Sequence, residues 1–144
     1  MKRQTFLRGL AAAVLTSALV AALPARADEN IVVISHSPLK GVDAEVLRRI
    51  YTGRTIELDR LLLHPVNLAP GHPLRRRFAG AVLQQSDDDY IAYWTVRRYI
   101  GKGAPPRELS STAEIIEYVT TTPGAIGYIE ASELKPSMFV VLRR

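Results

Sequence analysis

From residue 31 onward, short apolar runs alternate with segments whose apolar residues recur at helical spacing. Ile31, Val32, Val33 and Ile34 form an unbroken β-branched run that stops at the polar Ser35. Such a run predicts a strand covered on both faces, as in a parallel sheet. From Asp43 the period turns helical. Val42, Val46, Leu47 and Ile50 share a face, Glu45 is placed to pair with Arg49 one turn on, and Gly53 closes the segment. A polar stretch over residues 54–60 leads to a second strand over 61–68, where Pro65 requires an edge or an interrupted ladder.

Ala69-Pro70-Gly71-His72-Pro73 reads as a tight connection, with Pro73 suited to a first helical position. Leu74, Phe78, Ala81 and Val82 then predict a helix ending near Gln85. Ser86 and Asp89 have capping-box spacing, and Asp87, Asp88 and Asp89 complement the dipole of a helix that Gly101 ends. In that helix Tyr90, Ile91 and Trp94 are expected in the core. Residues 101–107 read as a loop. Ser111 and Glu114 cap a further helix that buries Ile115, Ile116 and Val119. Residues 125–129 and 138–142 predict two more strands, and Gly127 inside the first implies a close backbone approach. About four strands alternating with about four helices predict an α/β fold with a small, mostly parallel sheet flanked by helices.

Composition adds limits. The chain has 144 residues, 47% hydrophobic and 23% charged, the balance of one globular domain. It has no cysteine, which excludes disulfides, thiolate metal sites and cysteine nucleophiles. Lys2, Arg3 and Arg8 precede an apolar run over residues 10–23, and Ala25-Arg26-Ala27 follows as a small-x-small cleavage site. That run is too short to span a bilayer. Residues 1–27 therefore read as a secretory signal peptide and 28–144 as the mature domain, periplasmic or secreted, with no stable membrane insertion after cleavage. Nearly all of the formal charge of +5 leaves with Lys2, Arg3, Arg8 and Arg26. The remainder lacks the clustered basic excess that a nucleic-acid partner requires.

Two segments are candidate anion contacts. Gly71 and His72 lie where a helix begins, so N–H groups, the His72 ring and the Arg75 charge could meet an anion there. The plainer reading is that His72 caps the helix and that Arg75, Arg76 and Arg77 are solvated. Pro73 also removes one donor. Ser35, His36 and Ser37 end the first strand, where open α/β sheets place ligands, and could face the same anion from the other side. The plainer reading there is a polar strand exit. Tyr128 is expected near the ligand mouth. His36, His64 and His72 lack metal-ligand spacing, so no metal or other cofactor is expected. No Gly-x-Ser-x-Gly elbow is present, and no enzyme activity is expected.

The order of motifs resembles a known family. The segment Leu47-Arg48-Arg49-Ile50-Tyr51-Thr52-Gly53-Arg54, then Tyr93-Trp94, the Gly101-Lys102-Gly103 turn and Gly124-Ala125-Ile126-Gly127-Tyr128-Ile129-Glu130 are similar to the phosphate-binding-protein-like, type II periplasmic solute-binding family of ABC transporters. Tyr51 stands where that family has phenylalanine. The resemblance implies a single lobe of a fold that normally has two, and a non-catalytic role in binding a small, phosphate-type anion. The arginine and the Ser-Gly-Thr turn with which the family holds phosphate are absent from residues 67–75. A second lobe, supplied by dimerisation or by a partner protein, is therefore expected for tight binding. The alternative is an interaction or sensory module that kept the lobe and lost the ligand.

The leader makes a direct prediction. Mass spectrometry of the exported protein should find Asp28 at its N-terminus; an intracellular protein that starts at Met1 would contradict the reading.

Overall fold

The structure, a computed structural model, describes residues 30–144. The expected signal peptide, 1–27, lies outside the described residues. The strands are β1 (Ile31–Ser35), β2 (Glu57–Leu58), β3 (Leu61–Leu62), β4 (His64–Leu68), β5 (Arg107–Leu109), β6 (Ala125–Glu130) and β7 (Phe139–Arg143). The α-helices are α1 (Ala44–Tyr51), α2 (Pro73–Phe78), α3 (Asp87–Tyr99) and α4 (Thr112–Thr121). A five-stranded sheet has the order β5-β4-β6-β1-β7, and β2 and β3 form a separate two-stranded ribbon. In the large sheet β4 runs parallel to both β5 and β6, while β1 runs antiparallel to both β6 and β7. Four strands thus share one direction and β1 alone is reversed. This is the expected α/β fold with a mostly parallel sheet flanked by helices.

The reversed strand corrects one expectation. All five residues of β1 are buried, as the apolar run requires. Burial on both faces follows from helices packed on both sides of a central strand, however, and says nothing about strand direction. The strand expected over 61–68 is divided. Leu61 and Leu62 belong to the ribbon, whose turn residues Asp59 and Arg60 have φ values of 48° and 66°. Left-handed backbone at both positions matches a two-residue hairpin turn. Pro65 pairs with Ile126 of β6, while pairing with β5 begins only at Val66. On the β5 side Pro65 therefore lies outside the ladder, where its missing N–H costs nothing. β5 begins at the last residue of the expected loop and runs through residues for which no element was expected; it is short, charged and at the sheet edge.

Gly127 decides how closely α4 approaches. Successive strand residues face opposite sides. On one side Gly127 meets α4; a Cβ there would lie 2.6 Å from Ile115 Cγ2 and 3.1 Å from Val119 Cγ2. On the other side Tyr128 stacks on Phe78 of α2, with ring centres 3.9 Å apart and planes 5° from parallel. Tyr51 of α1 meets Phe78 edge-on at 4.9 Å. Aromatic pairs of this kind are worth about 0.5–1.5 kcal/mol beyond their buried area. Helices α1 and α2 thus cover one face of the sheet and α4 the other.

The helix starts follow local chemistry. Asp43, His72, Ser86 and Ser111 each accept a backbone N–H of the first turn of α1, α2, α3 and α4. The helix expected to run to Gln85 changes character after Phe78. Residues Ala79–Leu83 form a π turn, which buries Ala79, Val82 and Leu83 together and ends at a left-handed Gln84, φ 56°. Trp94 and Tyr90 are buried as expected, but Ile91 is exposed. Only the side of α3 that carries Tyr90 and Trp94 reaches the end of α1, so the rest of the helix faces solvent. Ile116 is only partly buried for the same geometric reason: Ile115 and Val119 already fill the contact with β6.

Gly127→Val should destabilise the domain by at least about 1–3 kcal/mol, because the new side chain overlaps Ile115. Arg76→Ala, on the exposed side of α2, should stay within about 0.5 kcal/mol. Urea midpoints of the two variants measure the difference; equal midpoints would show that the α4 contact can open.

Candidate functional site

The parallel strands end together, and the site candidate is built on that edge. Inside it lies a buried polar network. Tyr128 Oη donates to Asn67 Oδ1 and accepts the Leu68 N–H at 3.1 Å. Tyr51 Oη donates to the Val66 carbonyl at 3.0 Å. Burial holds the phenols of Tyr51, Tyr128 and Tyr90 above their usual range, so all three stay neutral donors. These bonds satisfy β4 groups that the short ladders leave over, which buried backbone must have. Tyr90 Oη and Trp94 Nε1 then donate to the Tyr51 carbonyl, at 2.8 and 3.2 Å, and Tyr93 Oη donates to the Thr52 carbonyl at 2.7 Å. The C-terminal end of α1 is thereby capped by α3.

Arg75 is the charge at this end of the sheet. Its side chain is only 2% exposed. Nε donates to Asp87 Oδ1 at 2.7 Å, Nη1 donates to the Leu68 carbonyl at 2.7 Å, and Nη1 lies 3.3 Å from Glu108 Oε1. The guanidinium also lies over the Tyr90 ring, 5.8 Å from its centre. Burial pulls its pKa down, and Asp87 and then Glu108 push it up by more, so the group stays charged. The expectation of a solvated Arg75 near an anion does not match this placement. Three adjacent arginines look like one solvated face, but Arg75 lies on the inner side of the helix and turns back to the end of β4.

Around the edge, α2 begins after β4, α4 after β5, and a 3-10 turn, Ala131–Glu133, after β6. One first-turn N–H in α2 and one in α4 is already bound to the cap side chain. His72 Nδ1 accepts the Leu74 N–H at 3.1 Å, which puts the ring proton on Nε2. Gly71 makes the preceding turn: its φ is 87°, Pro70 precedes it, and the His72 N–H bonds back to the Ala69 carbonyl. That is the glycine position of a type II turn. Glu133 takes the Thr112 hydroxyl at 2.5 Å on one carboxylate oxygen and the Glu130 N–H at 3.1 Å on the other. Glu114 Oε2 takes both the Ser110 N–H, at 2.8 Å, and its hydroxyl, at 2.9 Å. The Ser110 N–H, then its hydroxyl, hold the Glu114 carboxyl below its ordinary pKa. Glu130 receives two bonds from the Arg77 guanidinium.

The structure does not bring the expected site residues together. Gly71 and His72 lie at the end of the parallel strands. Ser35 pairs with Ile126, and the His36 N–H bonds to the Ala125 carbonyl, both at the start of β6. Because β1 is reversed, Ser35, His36 and Ser37 sit at the opposite end of the sheet, a strand length or roughly 15 Å away. Their polar groups are bound locally as well. Ser35 Oγ donates to the Ser37 carbonyl, and His36 Nδ1–H donates to the Val119 carbonyl. Tyr128 is fully buried beneath the edge and faces no opening. Sequence reasoning missed Thr112, Ser110 and Glu133. The Ser-Ser-Thr run before α4 was their only local signal. Among the described residues, no group of three or more His, Asp or Glu side chains is placed to hold a metal, and no helix is long and apolar enough to cross a membrane.

No family model matches the chain, and no curated protein matches it. Solved structures do share its fold. An ABC-type phosphate transport receptor from Vibrio cholerae aligns with a TM-score of 0.54 and 13% identity, over 78% of this chain and 45% of the receptor. A structure described as a phosphate ABC transporter substrate-binding protein with bound phosphate from Clostridium perfringens aligns at 0.55 and 20%, over 78% of this chain and 44% of the other. The chain thus spans less than half the length of either. At such identities the likeness establishes the fold, a single lobe of the two-lobe receptor architecture.

If Arg75 anchors the edge, Arg75→Met should cost about 3–5 kcal/mol, because Asp87 and the Leu68 carbonyl lose their partner. Arg75→Lys should restore only part of this, since an ammonium cannot reproduce the fork. The double variant Arg75→Met/Asp87→Leu should recover stability relative to Arg75→Met alone. Chemical denaturation reads all three; a wild-type midpoint for Arg75→Met would show that the pair holds nothing.

Proposed function

We propose that the protein is a secreted, single-lobe relative of the phosphate-type solute-binding proteins. It works outside the cytoplasm by non-catalytic recognition, and it binds a small anion at the edge where the parallel strands end once a second lobe completes the shell. The carrying observation is the convergence of α2, α4 and the 3-10 turn at that edge. Helix starts carry N–H donors and partial positive charge, which suit an oxyanion. Two structures with the same lobe are phosphate receptors by description, which supports the class of ligand.

The lone lobe offers such an anion little. Glu133 and Glu114 already accept the donors of Thr112, Glu130 and Ser110, and Arg75 is bound internally. Two or three charge-assisted hydrogen bonds of about 1.5–3 kcal/mol each barely offset the cost of association. A second copy or a partner protein would have to displace the carboxylates and add donors. The same carboxylates favour a second reading, in which the lobe serves as an interaction module without a ligand.

Calorimetric titration of the exported protein with phosphate, alongside its mass in solution, separates the readings. A monomer should show dissociation constants of about millimolar or weaker. Phosphate binding that appears with a dimer or partner supports the solute-binding reading, and its absence in every assembly favours the interaction module. Submicromolar binding by a proven monomer would contradict the proposal.

A further inference from the structure

Away from the sheet edge, a cleft of about 610 Å³ opens between the end of α1 and the turn joining the π segment to α3. Arg48 and Arg49 line it from the last turn of α1, and Arg54 from the loop beyond. Gln84 and Gln85 line it from the π segment side, and Glu45 is the single carboxylate of the lining. None of the three arginines makes an ion pair among the described residues; Arg49 donates only to Thr55 Oγ1, at 3.3 Å. The helix dipole accounts for Arg48 and Arg49 at a C-terminal turn. It does not account for Arg54, which lies past the cap, or for the meeting of three like charges in one concavity, where they repel.

The opposite wall is unusual in its own right. Gln84 is left-handed, a conformation disfavoured for a residue with a side chain, and it ends a π turn. Both features are enriched at functional sites. The backbone N–H groups of Gln84 and Gln85 are bound to the Ala79 carbonyl, but their side-chain amides carry no hydrogen bond among the described residues and are available as neutral donors.

We propose that this cleft binds a small polyanion, a molecule with two or more phosphate or carboxylate groups. Each guanidinium offers a planar fork to one such group. Three forks around a cleft of this size fit several linked anionic groups better than a single phosphate. The site needs no second lobe. The rod formed by α2 and the π turn separates it from His72 by roughly 16 Å, so the two places can be tested apart.

The test is titration of pyrophosphate into the exported protein at low ionic strength, with orthophosphate in parallel. Pyrophosphate should bind at one site, more tightly than orthophosphate, and binding should weaken as salt rises. Arg48→Gln and Arg54→Gln should each weaken it about tenfold with unchanged circular dichroism, and Glu45→Gln should tighten it. Should Arg48→Gln lose its fold, the exposed Arg54→Gln decides alone. Lack of pyrophosphate binding by the folded wild type, equal affinity in Arg54→Gln, or preference for orthophosphate overturns the proposal. Association with phosphatidylglycerol vesicles in the absence of pyrophosphate binding also overturns it and assigns the arginines to a membrane surface.

Discussion

A buried guanidinium has to be surrounded by acceptors, and Arg75 gathers its own from three elements. Asp87 comes from the first turn of α3, the Leu68 carbonyl from the end of β4, and Glu108 from β5. Removing water from such a charge costs several kcal/mol, which only this complete set of partners offsets. The set therefore fixes where α2 leaves the sheet, where α3 begins, and how the edge strand β5 lies against β4. It also closes the strongest nearby cation to solvent. The same contact that holds the lobe together withdraws a charge that an anion at this edge would use.

The rest of the edge follows a similar logic. β4 is short, and its ladder with β6 and β5 is staggered around Pro65. Tyr128, Asn67 and Tyr51 supply hydrogen bonds that the staggered ladders leave unmade. Above them, Glu133 joins the start of α4 to the turn after β6, and Glu114 closes the loop after β5. Each carboxylate answers a local need of a helix start. Together they place negative charge at the edge where the parallel strands end.

Much of the fold was legible in the sequence because its determinants are local. Asp43, Ser86 and Ser111 signal helix starts by their own side-chain chemistry, and Gly127 signals a tight contact by the lack of one. The direction of β1 was not legible, because burial on both faces is the same for either direction. That single reversal separates Ser35, His36 and Ser37 from His72. β5 was missed because three residues with one half-buried leucine carry no periodic signal. The candidate site was less legible than the fold. Arg75, Arg76 and Arg77 are chemically identical; helical phase turns Arg76 outward, but only the tertiary partners show that Arg75 is bound within the fold. Gly71 and His72 were found as a turn and a cap, but the carboxylates that occupy the edge come from distant positions in the chain.

The claim that Arg75 belongs to the lobe and not to a ligand can be tested at the atom concerned. In the isotope-labelled protein, the Nε–H resonance of Arg75 should be resolved, slow to exchange with solvent, and unmoved by saturating phosphate. Assignment by loss of the peak in Arg75→Lys identifies it. A rapidly exchanging Nε–H, or one that shifts with phosphate in a saturable manner, would show that the guanidinium turns outward to the anion and would contradict the account.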